Sequence, residues 1–229
     1  MKNLLILHGA LGSKEQFLPL EALLKKEYHV HLLNFSGHGG QPFQKEFSIA
    51  PFASEVIHFL DEKQLKTIDI FGYSMGGFVA LYIAKNHPER VKKIMTLGTK
   101  FLWDPEIAIK EAKMLNTDKI EEKIPAFAKV LQNRHLPNNW KDVLSRTAFM
   151  MRCMGEENPL SLSDYSIIHH SVKIGLADQD EMVTKEETME VVNALPNALF
   201  YSLKDAKHPI EKANHDQLYS EITTFFNEL

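Results

Sequence analysis

Residues 72–76 read G-Y-S-M-G and place one hydroxyl among small residues at the end of an apolar run. The preceding residues T-I-D-I-F predict a buried strand, and the following F-V-A-L-Y-I-A-K predicts a helix. A sharp turn from strand to helix presents its corner residue at the carboxyl edge of a sheet. The pattern therefore predicts that Ser74 is a nucleophile; the alternative is a glycine-rich turn without chemistry.

A serine hydroxyl is a weak nucleophile at neutral pH and needs a base and a third group that orients the base. Two downstream segments offer them. The segment L-K-D-A-K-H-P-I places His208 after the last predicted strand, and the segment G-L-A-D-Q-D-E-M-V carries Asp178 and Asp180. His215 follows closely but falls inside the last predicted helix, where we expect a surface role.

In this order the three segments resemble the α/β-hydrolase superfamily, serine-hydrolase branch, whose chain order is Ser, acid, His. The resemblance implies a Ser74–His208–acid triad, with Lys207 in place of the glycine usual before the histidine. Asp178 fits the family's G-x-x-D step and Asp180 its D-x-x-V step. Asp180 is preferred because its register aligns the preceding strand without a gap, and Asp178 remains the alternative.

The H-G-A-L-G stretch at residues 8–12 resembles the oxyanion loop of the same superfamily. The resemblance implies two backbone donors for the oxyanion hole, the N–H of Met75 and the N–H of Ala10, with Leu11 less favoured than Ala10. The G-H-G turn around His38 resembles another family loop, and we predict a structural role without chemistry for that ring.

Apolar runs alternate with amphipathic segments along most of the chain. The predicted strands are Leu4–Leu7, His29–Asn34, Thr67–Phe71, Val91–Leu97, Val172–Leu176 and Ala198–Ser202. The predicted helices between them are Ser13–Lys26, Ile49–Glu62, Gly76–Asn86, Lys185–Leu195 and Ile210–Asn227. This alternation predicts an α/β fold, a mostly parallel sheet flanked by helices. By resemblance it is the α/β-hydrolase fold without the family's usual two leading strands.

Residues 101–170 break the alternation, because their apolar residues have helical spacing and no strand pattern. Pro105 and Pro125 are predicted in the first turns of two helices, and Gly155 is predicted as the carboxyl-terminal cap of a third. The sequence thus predicts a helical cap insertion at 101–170 in a hydrolase core formed by 1–100 and 171–229.

The predicted cap is rich in large apolar side chains. They are Trp103, Phe127, Trp140, Phe149, Met150, Met151 and Met154. Most are expected to pack against the core, and a few to face Ser74 as the roof of an acyl pocket. Three basic cap residues could contact an anionic substrate or be surface charges: Arg134, His135 and Arg152.

Composition narrows the function classes. The 229 residues suit one domain, or one domain that carries an insertion, and 30 acidic against 26 basic residues give a net charge of −4. This balance lacks the basic face of a nucleic-acid-binding protein. There is no H-E-x-x-H, no paired-cysteine spacing and no G-x-G-x-x-G, so neither a metal nor a dinucleotide cofactor is expected.

Cys153 is the single cysteine, so no disulfide can form within these residues. The apolar run that begins the chain ends at His8, which is too short for a signal peptide or a membrane span. We therefore expect a cytoplasmic protein that does not associate with membranes. The sequence gives no indication of its oligomeric state.

The function predicted from these observations is the hydrolysis of a small-molecule carboxylic ester by a serine carboxylesterase. One alternative is a carbon–carbon bond hydrolase or lyase that uses the same triad. The other is a ligand-binding receptor of this fold without catalysis.

Overall fold

Six parallel strands form the centre of the molecule in the computed structural model, which describes residues 1–44 and 46–228. The strands are β1 (Lys2–Leu7), β2 (Tyr28–Leu33), β3 (Ile68–Tyr73), β4 (Val91–Leu97), β5 (Ser171–Ala177) and β6 (Ala198–Leu203). Their order in the sheet is β2-β1-β3-β4-β5-β6. The predicted fold class is confirmed. Lys45 and Leu229, which belong to the predicted core ranges, lie outside the described residues.

Helices cover both faces of the sheet. They are α1 (Leu18–Leu24), α2 (Ile49–Glu62), α3 (Met75–Asn86), α4 (Pro105–Met114), α5 (Thr117–Lys123), α6 (Pro125–His135), α7 (Trp140–Glu156), α8 (Leu162–Tyr165), α9 (Lys185–Ala194) and α10 (His215–Asn227). Short 3₁₀ turns span Lys14–Phe17, Pro88–Arg90 and Ile210–Lys212. The central strand β3 is buried at every residue, as expected for a parallel strand that is covered on both faces, whereas the edge strands β2 and β6 are partly exposed.

Strand alternation divides the core into two apolar layers. Leu5 and Leu7 of β1 pack in the layer with α2 and α3, whereas Leu4 and Ile6 pack in the layer with α1 and α10. All four side chains are at most 1% exposed. The sheet is thereby held rigidly between its helices, and its carboxyl edge is a fixed platform for the loops that follow the strands.

The residues between β4 and β5 fold into α4 to α8, and the described chain shows no strand there. We call residues 105–165 the helical segment. Pro105 and Pro125 are the first residues of α4 and α6, as predicted. The prediction for Gly155 was wrong, since Gly155 lies inside α7. A Cβ on it would come 2.4 Å from the Ala108 Cβ, so this glycine lets α7 approach α4 closely.

Two predicted helices are interrupted in the structure. The predicted helix 13–26 begins with a 3₁₀ turn at Lys14–Phe17 before α1. The predicted helix 210–227 likewise begins with the 3₁₀ turn Ile210–Lys212. It restarts where the Asn214 side chain caps α10 by accepting from two backbone N–H groups.

Candidate active site

Ser74 occupies the turn between β3 and α3 in a backbone conformation that residues other than glycine rarely adopt. Its φ is 51° and its ψ is −119°. This conformation costs about 1–3 kcal/mol and persists only where the surrounding structure holds it in place. The Ser74 N–H donates to the Leu97 carbonyl at 2.9 Å, and the Ser74 carbonyl accepts from Gly77 N–H at 3.0 Å and Thr99 Oγ1 at 3.0 Å. These bonds fix the strained turn from both sides.

Two flanking glycines make this turn possible. A Cβ on Gly76 would lie 2.4 Å from the Leu7 carbonyl oxygen, and one on Gly72 would lie 2.5 Å from Gly77 Cα. Both contacts are with backbone, which cannot move aside. The G-x-S-x-G spacing therefore reflects a close approach of α3 to β1 and β3.

Asp180 and His208 lie on the loops after β5 and β6 and are hydrogen-bonded to each other. The His208 Nδ1 to Asp180 Oδ2 distance is 2.8 Å, with the Asp180 side chain 1% exposed. Asp180 Oδ1 accepts from the N–H groups of Met182 at 2.8 Å and Val183 at 3.0 Å. Burial raises the pKa of Asp180, but the His208 and backbone hydrogen bonds outweigh it, so the pKa lies below its usual value. Asp180 is thus ionised and its imidazole partner is oriented with Nδ1–H toward it.

Asp178, the alternative acid, has a different set of partners. Its carboxylate accepts from Asp205 N–H at 3.0 Å and Ala206 N–H at 3.1 Å, which ties the loop after β6 to the loop after β5. The structure therefore brings Asp180, and not Asp178, to the imidazole.

Ser74 and His208 both lie beside the end of β4. The Ser74 N–H is bound to the last residue of β4, and a Cβ on the next residue, Gly98, would lie 3.3 Å from the His208 ring. Gly98 has φ +62°, a conformation that suits glycine. In the described chain Ser74 Oγ has no hydrogen bond to the ring; such bonds in substrate-free sites are often long and tighten when substrate binds.

Tyr73 is a residue of this site that the sequence analysis missed. Its hydroxyl donates to the His208 backbone carbonyl at 2.7 Å, and the two rings lie 5.5 Å apart. The residue before the serine in G-x-S-x-G is unspecified, so the motif gave no sign of this contact.

A cavity of about 50 Å³ opens beside Ser74. Its walls are Ala10, Ile49, Met75, Phe78, Lys100, Trp103, Met150, Met151 and Met154. Four of the seven large apolar residues singled out in the sequence thus face the candidate nucleophile, whereas Phe127, Trp140 and Phe149 do not. Lys100 is turned toward Glu187 and Glu111, at 3.6 Å and 3.9 Å, so the cavity is mainly apolar.

The two predicted oxyanion donors lie at this cavity. Met75 is the first residue of α3, so its N–H has no intrahelical acceptor. Ala10 N–H shares a peptide group with the Gly9 carbonyl, which accepts from Gly12 N–H at 3.1 Å and His8 Nδ1 at 2.7 Å. In a trans peptide the N–H points away from its carbonyl, and no described residue accepts from the Ala10 N–H.

Three imidazoles are buried in and beside the loop at residues 8–12: those of His8, His38 and His135, each 0% exposed. The His8 and His38 rings are 5.1 Å apart, and those of His38 and His135 are 5.8 Å apart. Burial lowers the pKa of His8 and of His135 to about 4 and lowers that of His38 well below its usual value. All three are neutral near pH 7 and hold loops together, the kind of role predicted for His38.

The basic residues of the helical segment differ in their surroundings. Arg134 and His135, at the end of α6, both contact the Leu11 carbonyl in the loop at residues 8–12, at 2.9 Å and 3.2 Å. Arg152 is exposed. The described residues contain no cluster of three or more metal-ligating side chains, and none of their helices is long and apolar enough to span a bilayer.

Comparison with known proteins identifies the family to which this fold belongs. A family model described as alpha/beta hydrolase fold matches residues 2–123, more than half of the chain. The chain therefore belongs to the alpha/beta hydrolase fold family.

Similar proteins of known name include methyl ester esterases. The pimeloyl-[acyl-carrier protein] methyl ester esterase of Neisseria meningitidis serogroup B (strain H44/76) is 33% identical over 94 residues, which are 41% of this chain and 35% of that protein. The match thus covers only about a third of the length of that relative. The protein of the same name from Aliivibrio fischeri (strain ATCC 700601 / ES114) is 22% identical over 245 residues, 99% of this chain and 94% of that protein.

Solved structures share the whole fold at low identity. The enol-lactonase from Burkholderia xenovorans LB400 matches with a TM-score of 0.82 and 17% identity, over 99% of this chain and 92% of that one. A thermophilic esterase from Thermogutta terrifontis matches with a TM-score of 0.81 and 16% identity, over 99% and 90%. These matches show the fold alone.

Proposed function

We propose that this chain is a serine hydrolase that cleaves carboxylic esters of small molecules through an acyl-enzyme. The observation that carries the proposal is the 2.8 Å bond between His208 Nδ1 and Asp180 Oδ2, formed on the same sheet edge as the strained Ser74. This arrangement gives an imidazole of defined tautomer beside a hydroxyl. The methyl ester esterases among the similar proteins support the choice of ester substrates.

In the proposed reaction Ser74 Oγ attacks the acyl carbon while His208 Nε2 accepts the hydroxyl proton. His208 then gives this proton to the leaving alcohol, and the acyl-enzyme forms. Water, deprotonated by the same Nε2, attacks the acyl-enzyme and releases the acid and free Ser74. Asp180 keeps the proton on Nδ1 and balances the positive charge that develops on the ring.

Negative charge develops on the acyl oxygen during both attacks. We assign its stabilisation to the N–H groups of Ala10 and Met75, which border the cavity beside Ser74. A preorganised donor of this kind contributes roughly 3–4 kcal/mol to transition-state stabilisation.

The helical segment fits the role of the predicted cap over the core. Its residues Met150, Met151 and Met154 form one wall of the cavity beside Ser74, and this apolar wall suits an uncharged acyl group. A cavity of about 50 Å³ favours a short acyl chain unless methionine side chains move.

We place the reaction in the cytoplasm, with a small molecule as the partner rather than a nucleic acid or a membrane. The single Cys153 leaves no pair for a disulfide in an oxidising compartment. The net charge of −4 disfavours a polyanionic partner.

The test of this function is labelling with a fluorophosphonate, which reacts with activated serines, followed by peptide mapping. We expect the label on Ser74, and no label on the Ser74→Ala variant. The matched control is Ser145→Ala, an exposed serine of α7, which should label like the parent protein. A parent protein that stays unlabelled, or labels on another residue, contradicts the proposal.

A further inference from the structure

Two peptide groups connect the end of α6 to the Ala10 N–H. Arg134 Nη1 donates to the Leu11 carbonyl at 2.9 Å, and His135 Nε2 lies 3.2 Å from the same oxygen. The Leu11 carbonyl shares its peptide group with the Gly12 N–H, which donates to the Gly9 carbonyl at 3.1 Å. The Gly9 carbonyl shares its peptide group with the Ala10 N–H. A continuous chain of hydrogen bonds and planar peptides thus runs from α6 to the cavity.

The conformation of Leu11 shows that this chain is under constraint. Leu11 has φ +58°, a left-handed conformation that costs a β-carbon-bearing residue about 1–2 kcal/mol. The two donors from α6 hold its carbonyl in that orientation. His135 is held in turn, because its Nδ1 accepts from Gly39 N–H at 3.2 Å, which leaves Nε2–H to donate to Leu11.

Arg134 is anchored to the loop that carries His208. Its Nη2 donates to Glu211 Oε1 at 2.7 Å, in the 3₁₀ turn that follows His208. Gln16 Nε2 also donates to Glu211 Oε1, at 2.6 Å, while Gln16 Oε1 accepts from Ser13 N–H at 2.8 Å. One guanidinium therefore joins the oxyanion loop, the histidine loop and the helical segment, and its side chain is only 14% exposed.

We propose that Arg134 is a positioning residue that, together with His135, orients and polarises the Ala10 N–H through the two intervening peptide groups. A cationic donor on the Leu11 carbonyl strengthens the Gly12 N–H to Gly9 bond, because linked hydrogen bonds polarise one another. The same effect makes the Ala10 N–H a stronger donor to a developing oxyanion. Arg134 acts without touching the substrate. The inference rests on the proposed function, since it assigns Ala10 to the oxyanion hole.

The test compares Arg134→Met, which keeps the apolar stem but removes the guanidinium, with the parent protein on p-nitrophenyl acetate. We expect kcat and kcat/KM to fall by the same factor, about tenfold, which is less than the ~10²–10³ lost with a whole oxyanion donor. Arg134→Lys should recover part of the loss, because it keeps the charge. Lys141→Met is the matched control. It removes an exposed ion pair of the helical segment, Lys141–Glu121 at 2.7 Å, and should leave kcat unchanged.

A spectroscopic measurement separates positioning from loss of stability. The backbone amide proton of Gly12 should move upfield in the ¹H–¹⁵N spectrum of Arg134→Met, because its bond to Gly9 weakens. It should stay in place in Lys141→Met. If Arg134→Met does not fold, Glu211→Gln replaces it, because this change removes the charge that anchors Arg134. The same two measurements apply, and kcat should fall severalfold.

The outcomes distinguish this inference from the proposed function. A fluorophosphonate label on Ser74 of the parent protein, together with unchanged kcat in Arg134→Met, overturns only the role of Arg134. A raised KM with unchanged kcat also overturns it, because Arg134 would then bind substrate. A parent protein that is not labelled at Ser74 removes the basis of both proposals.

Discussion

The loops at the carboxyl edge of the sheet and the helical segment contact each other but are built by different rules. In the loops, Ser74, Asp180 and His208 follow β3, β5 and β6, and hydrogen bonds that involve backbone groups hold each loop in place. In the helical segment, side chains such as Met150 and Met151 reach the cavity from one face of α7. Flexible methionine side chains, rather than backbone, shape that wall.

The difference teaches where each kind of change should act. A substitution in the loops removes a group at a fixed position, and no neighbour can move in to replace it. A substitution in the wall formed by α7 changes the shape of a cavity whose remaining methionines can repack. We therefore expect the loops to determine the rate and the helical segment to determine which substrate is used.

The largest expected effect is that of Ser74→Ala, on the loop side of this comparison. Loss of the nucleophile should lower kcat on p-nitrophenyl acetate by about a million-fold, while the thermal midpoint stays within a few degrees. The control is Ser145→Ala on α7, which should keep full activity. A loss smaller than tenfold in Ser74→Ala would remove the serine from the mechanism.

The next largest effect should distinguish the two neighbouring carboxylates, Asp180 and Asp178, by the kcat of their asparagine variants. Asp180→Asn should lower kcat by about 10⁴. Its amide oxygen would stay with the Met182 and Val183 N–H groups, so its NH₂ would donate to His208 Nδ1 and favour the wrong tautomer of the ring. Asp178→Asn is the matched control and should lose less than tenfold, since its carboxylate binds Asp205 and Ala206 N–H groups instead. Steady-state kinetics of both variants on one ester shows which carboxylate orients His208. Equal losses in the two would exclude Asp180 as the specific partner of the base.

His8 and His135, which lie where α6 contacts the loop at residues 8–12, should make the stability of the protein depend on pH. His8 and His135 have pKa values lowered by burial to about 4, from 6.5 in the unfolded chain. Between these values the unfolded chain binds more protons than the folded one. The free energy of unfolding should therefore fall as pH drops from about 6.5 to about 4, by about 1.4 kcal/mol per pH unit for each histidine. Asp180 has a lowered pKa, so it contributes stability that is lost at lower pH, below about 4.

Urea denaturation at several pH values measures this dependence. His135→Gln keeps a donor and an acceptor at that position but cannot be protonated in this range. We expect its stability to decline less steeply between pH 6.5 and 4 than that of the parent protein. Equal slopes in the two proteins would show that His135 does not have a lowered pKa.

The smallest effect concerns the helical segment itself. Met151→Ala removes part of the cavity wall beside Ser74 and should accommodate a longer acyl chain. Two further methylene groups, buried at ~0.8 kcal/mol each, should raise the ratio of kcat/KM for butyrate over acetate esters about tenfold. Phe149→Ala is the control on the same helix, because Phe149 is 48% exposed. A ratio that rises equally in both variants would mean that Met151 does not shape the acyl site.

Most of the fold could be predicted because the apolar residues that define each strand and helix in the sequence are also the residues that the fold buries. The strand Val91–Leu97 and the helix Ile49–Glu62 have the predicted bounds. The strand ends in four consecutive buried residues, and the helix has a clear amphipathic period. Gly155 was placed wrongly, because a glycine that permits close helix packing has the same local appearance as one that ends a helix.

The candidate site was predictable only in part. Ser74 and the two candidate acids stand in short motifs with fixed spacing, so their placement needed little more than strand order. The contacts of Tyr73 and Arg134 could not be predicted from short sequence motifs. Arg134 contacts Leu11 only because α6 packs against the loop at residues 8–12. Such contacts depend on the angle and position at which each helix packs. The spacing of apolar residues in the sequence does not specify either of them.

The order of the elements also has a consequence for synthesis. The serine is translated early, with β3, whereas His208 follows β6 near the carboxyl end of the chain. If His208 activates Ser74 as proposed, a growing chain carries an unactivated hydroxyl until β6 has emerged and paired with β5. Under the proposed mechanism, a fragment of this chain that stops before β6 should therefore be inert toward ester substrates.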